Sequence, residues 1–87
     1  MQFDCAVIKE QGVTFAVVIV AAHVLQNRIE ANQLIVSLEA QLFSGMPVIL
    51  MAQNGFGVPT YYGRKDIVNF MASVPTAAVP WKRFTLS

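Results

Sequence analysis

The sequence predicts a two-layer α+β domain with a mainly antiparallel five-stranded sheet and two helices, in the order ββαββαβ, with residues 1–87 forming one domain. Three observations predict it. Five short β-rich runs are separated by Gly, Asn and Pro punctuation. Two stretches carry apolar residues at helical spacing. Consecutive strands are joined by hairpin-length turns, which leaves both helices on one face of the sheet and makes the bare face a possible contact surface.

The first two strands are expected at about Phe3–Lys9 and Val13–Ala21, joined by a hairpin turn at Gln11-Gly12. That turn sets the register. Ile8 falls opposite Phe15, Ala6 opposite Val17 and Cys5 opposite Val18. One face of the hairpin then carries Ala6, Ile8, Phe15, Val17 and Ile19, and the other Cys5, Val7, Ala16, Val18 and Val20. Both faces of the second strand are apolar, so it belongs in the centre of the sheet, covered on each side.

Asn27, with Glu30 three residues later, is a helix start of the capping-box kind with Asn as the cap. The helix runs to about Phe43 and stops at Ser44-Gly45, just before Pro47. Its wheel carries two apolar stripes. Ala31, Leu34, Ile35, Leu38 and Leu42 form one, suited to packing on the sheet. Ile29, Val36, Ala40 and Phe43 form a second, roughly opposite, spaced like a short coiled-coil seam. That stripe is expected to meet the same helix of a second copy. The alternative is a contact with the other helix of its own chain.

Pro47–Gln53 reads as a buried strand. Asn54-Gly55 and Gly57 form a turn, and Gly55-Phe56-Gly57 has no following helix start, so it is turn geometry and no phosphate loop. Val58–Tyr62 is a short edge strand, because Pro59 cannot donate to a ladder. Arg64–Val74 is a one-sided helix through Ile67, Phe70, Met71 and Val74, closed by Pro75, and Val79–Leu86 is a last strand.

The composition bounds the function. Hydrophobic residues make up 55% and charged residues only 13%, against about 25% charged in ordinary soluble domains. A chain of 87 residues with that balance has more apolar surface than one small core hides. The surplus points to a membrane or a partner. The longest apolar run, Val13 to Leu25, is too short for a spanning helix of about 20 residues. The first residues lack a basic and apolar leader, and Cys5, the only cysteine, excludes a C-terminal lipidation box. A second copy is the simplest partner, most simply in a dimer. A cytoplasmic setting is the default, and a net charge of +1 attracts no nucleic acid in bulk.

Residues able to carry chemistry are few. No catalytic motif is visible, no cofactor is implied, and one His, one Cys and two Asp give no metal-ligand spacing. The register sets Cys5 about five residues, or roughly 16 Å, from His23, too far for a nucleophile–base pair. Cys5 reads as a small apolar filler and His23 as a surface or capping residue. The richest polar cluster is Tyr61 to Asp66, at a strand-to-helix junction. There Tyr62, Arg64 and Lys65 are candidate ligands for an anion, with solvated charges and packed tyrosines as the plainer reading. Trp81-Lys82-Arg83-Phe84 mixes aromatic and basic residues as nucleic-acid surfaces do, and a strand with one aromatic and one basic face explains it equally well.

The stretch Gly45-Met46-Pro47-Val48-Ile49-Leu50-Met51-Ala52-Gln53-Asn54-Gly55, continued by Gly63 and the helix to Met71, is similar to the C-terminal half of thioredoxin-like proteins. The resemblance covers about 30 residues and implies a cis peptide bond before Pro47. The paired redox cysteines of that family are absent, and the central helix runs straight into Pro47 without the strand expected between them, so the resemblance implies no redox activity. The functional expectation is therefore a small homodimeric binding or interaction module for a small molecule or protein. The alternatives are a small enzyme or anion-binding protein around Tyr62–Lys65, and weak nucleic-acid binding through Trp81–Arg83.

Overall fold

A computed structural model describes residues 2–10 and 12–85. The chain runs β1 (Gln2–Glu10), β2 (Val13–Ile19), α1 (Ala22–Gln26), α2 (Arg28–Gln41), β3 (Val48–Gln53), β4 (Pro59–Tyr62), α3 (Lys65–Met71), a 3-10 turn (Thr76–Ala78) and β5 (Lys82–Thr85). The five strands form one sheet in the order β4-β3-β2-β1-β5. The α+β class and the order ββαββαβ hold. The short helix α1 and the 3-10 turn are additions.

The first hairpin takes the expected register, with Cys5 paired to Val18, Ala6 to Val17 and Ile8 to Phe15. Of its turn, Gln11 lies outside the described residues. Gly12 has φ 79°, a left-handed conformation that glycine adopts without steric cost. The expected end of the last strand at Leu86 also lies outside the described residues.

The sheet is mixed. Three of its pairings are antiparallel, but β2 and β3 run parallel, with Val18 beside Leu50. Parallel neighbours need a crossover, and α1 and α2 supply it. The two strands at that junction are the ones whose sequences are apolar on both faces, as parallel central strands are.

The helices divide between the faces of the sheet, which corrects the two-layer arrangement expected from the sequence. On one face Phe3, Cys5, Ala16, Val18, Val48 and Leu50 pack with Val24 of α1, Ala31 and Leu38 of α2, and Phe43. On the other Ala6, Phe15, Val17, Ile49 and Met51 pack with Ile67 and Met71 of α3 and with Val79. The parallel crossover commits α2 to the first face. Alternation along β3 then sends Ile49 and Met51 to the second, where only a further helix can cover them. The bare face proposed as a contact surface is therefore occupied by α3. The two cores also house most of the apolar surplus within a single chain.

α2 begins as the sequence implies: the Glu30 N–H donates to Asn27 Oδ1 at 3.1 Å. The backbone N–H of Asn27 closes α1 by donating to the Val24 carbonyl, so it is not left for the reciprocal half of a capping box. The helix ends at Gln41, short of the expected Phe43. No peptide bond in the described residues is cis, so the cis bond implied for Pro47 is absent. Pro47 instead leads into β3, with its carbonyl accepting the Ala16 N–H at 2.9 Å.

Candidate functional site

The predicted polar cluster sits where β4 meets α3, beside the flank of α2. Tyr62 ends the edge strand β4, next to Leu50 in register. Its hydroxyl donates to Asn32 Oδ1 on α2 at 2.9 Å, which ties helix to sheet edge. Gly63 follows with φ 149°, and a Cβ there would lie 2.6 Å from Ile49 Cδ1 and 3.3 Å from the Val48 carbonyl oxygen. Only glycine lets the backbone pass this close to β3 on its way into α3.

Between α2 and this junction lies a groove of about 400 Å³, lined by Arg28, Asn32, Tyr61, Tyr62, Gly63, Lys65, Val68 and Asn69. A neighbouring hollow of about 480 Å³ shares Asn32 and Gly63 and adds Ile35, Glu39, Pro47 and Arg64. Of the three ligand candidates from the sequence, Tyr62 and Lys65 line the groove. Arg64 faces the neighbouring hollow, and its Nε donates to Asp66 Oδ1 at 2.8 Å in an exposed ion pair. The hydrogen bond from Arg64 holds the Asp66 carboxyl below its ordinary range. Glu39 is also engaged, accepting the Val48 N–H at 3.3 Å.

The sequence reading missed Arg28, Asn32 and Asn69. The signal available was helical spacing. Arg28, Asn32 and Ile35 fall along one flank of α2, but nothing in the sequence says that β4 passes beside that flank. Tyr61 points to the opposite face of the sheet, into the α3 core. Its hydroxyl is buried near Thr76 without a well-formed hydrogen bond among the described residues, and burial pushes its ionisation up.

The outward face of α2 is the second candidate surface. Ile29 is 71% exposed and Val36 65% exposed, and Ala40 is exposed beside them. Phe43, expected on the same seam, is instead buried. Because α2 stops at Gln41, the chain turns inward and the Phe43 ring packs 6.0 Å from that of Phe84. On the helix wheel, Asn32, Gln33 and Ser37 flank the remaining three residues, so this face carries no charge.

The other motifs are structural. Cys5 is buried in the helix-covered core and His23 is exposed on α1. Asn54 Oδ1 accepts the N–H groups of Phe56 and Val58 at 2.8 and 3.0 Å, fixing the β3–β4 turn that displays Phe56. Trp81 Nε1 donates to the Thr76 carbonyl, Arg83 pairs with Asp4 across β5 and β1, and Phe84 stacks on Phe3. Among the described residues no three His, Cys, Asp or Glu side chains gather as a metal site, and no helix is long and apolar enough to cross a membrane.

These features define a small α+β protein with a mixed sheet enclosed on both faces and a cationic groove on one flank of its long helix. No family model matches the chain, and neither curated proteins nor solved structures match it at a significant level.

Proposed function

We propose that the protein is an interaction module that self-associates through the outward face of α2, with a homodimer as the functional unit. One observation carries this reading: Ile29 and Val36 stand 71% and 65% exposed on a helix face free of charge. α2 already buries Ala31 and Leu38 on the opposite side, so the core of the chain is closed without the outward residues, which stay largely exposed. Leaving apolar side chains in water forgoes the free energy of burying them. A symmetric contact places this patch against its own copy, where an uncharged surface meets no like-charge repulsion.

The contact is small. A helix of 14 residues is about 21 Å long. Its face alone covers less than the roughly 800 Å² per partner of a standard interface. Reversible association with a dissociation constant in the micromolar range is therefore expected. Binding rather than turnover is the proposed role, and the cytoplasm, where the lone Cys5 thiol stays reduced, is the proposed setting. A nucleic-acid role through Trp81–Arg83 has less support, since the Trp81 indole N–H and the Arg83 guanidinium already have partners within the chain.

Sedimentation velocity across about 5–200 µM tests the proposal. The unmodified chain is expected to shift from monomer towards dimer, and Val36→Glu to remain monomeric with an unchanged circular dichroism spectrum. A chain that stays monomeric throughout, or a Val36→Glu variant that dimerises as well as the parent, would overturn it.

A further inference from the structure

The geometry points to a binding site for a small organic anion in the groove between α2 and the β4–α3 junction. The inference is independent of self-association. Arg28 and Lys65 both line the groove, and among the described residues no carboxylate does. Neither cation has an ion-pair partner among the described residues, whereas Arg64 and Arg83 are paired. Two like charges facing one cavity repel each other, and an anion between them relieves that repulsion.

The neutral polar groups point the same way. Asn32 accepts the Tyr62 hydroxyl proton through Oδ1, so its carboxamide NH2 is turned away from Tyr62, with no acceptor for either N–H among the described residues. Asn69 brings a second carboxamide to the same lining. The Tyr62–Asn32 bond fixes this arrangement before any ligand arrives, which lowers the ordering cost of binding. The remaining walls include Tyr62 and Val68.

A volume of about 400 Å³ is more than a bare ion fills. The ligand class that fits is a phosphate or carboxylate head on a small apolar body. The head lies against Arg28 and Lys65, and the body against Tyr62 and Val68. The α3 N-terminus has no part in this assignment. Arg28 on α2, brought alongside by the crossover, does what the sequence assigned to Arg64.

Titrations followed by ¹⁵N correlation spectra at constant ionic strength test the site, using inorganic phosphate, phenyl phosphate and benzoate. Saturable shifts are expected in the side-chain amides of Asn32 and Asn69 and the backbone amide of Gly63. Phenyl phosphate or benzoate should bind more tightly than inorganic phosphate, and which of the two wins identifies the head group. Arg28→Gln and Lys65→Gln should each weaken binding about tenfold, while Lys82→Gln leaves it unchanged. The spectra themselves show whether each variant is folded. Absence of saturable shifts at Asn32 and Asn69 with all three probes up to about 20 mM would overturn the assignment. So would binding insensitive to both Arg28→Gln and Lys65→Gln, or shifts centred on Lys82 and Arg83.

Discussion

Gly63 holds together more of this molecule than its size suggests. It turns the chain from β4 into α3 and forms part of the floor of the groove, all within contact distance of Ile49. Gly63→Ala would add an unfavourable backbone conformation and a clash with Ile49 Cδ1. A loss of about 2–3 kcal/mol in unfolding free energy is expected, measured by urea denaturation; an unchanged midpoint would contradict this account of the crossing. Cys5 offers a second test at this scale. Burial, with the charge of Asp4 adding to it, pushes its thiol from 9.0 to about 11. The folded state therefore favours the neutral thiol. Its contribution to stability is fully present below pH 9 and is lost as pH rises from about 9 to 11, because the unfolded chain releases the proton first. Denaturation from pH 8 to 11 should show a fall in the parent that is shallower in Cys5→Ala. Parallel curves would mean that the thiol is not shielded.

α2 joins the two halves of the account. Asn27 closes α1 with its backbone and opens α2 with its side chain, so one residue caps both helices at their junction. Asn27→Ala should cost about 1 kcal/mol, read from thermal or urea unfolding. A neutral substitution would show that packing of Ala31 and Leu38 alone fixes the helix. This element was also the most legible in the sequence. Its cap, its inward stripe and the register of the β1–β2 hairpin follow from local rules of turn and period. The direction of β3 did not follow, because an apolar run such as Val48–Ala52 pairs equally well either way until the crossover is known. The position of Phe43 depended on where the helix ended, and a shift of two residues moved it from the outward seam into the core. The candidate site was legible only in part for the same reason. Tyr62 and Lys65 are local to one junction, whereas Arg28 and Asn32 arrive from another element.

At the scale of the whole molecule, the apolar surplus has two destinations. Most of it fills two cores, one on each face of the sheet. A remainder stays outside: Val7, Ile29, Val36, Phe56 and Val58. Ile29 and Val36 share a helix face, and this face is the proposed site of self-association. The most direct test is a dilution series from about 500 to 10 µM, followed by methyl resonances of Ile29, Val36 and Ala40, with Val7 and Val58 as internal references. The account predicts that the three α2 methyl sets move together along one binding curve while the references stay fixed. Stationary α2 methyls, or movement confined to Val7 or Val58, would contradict it.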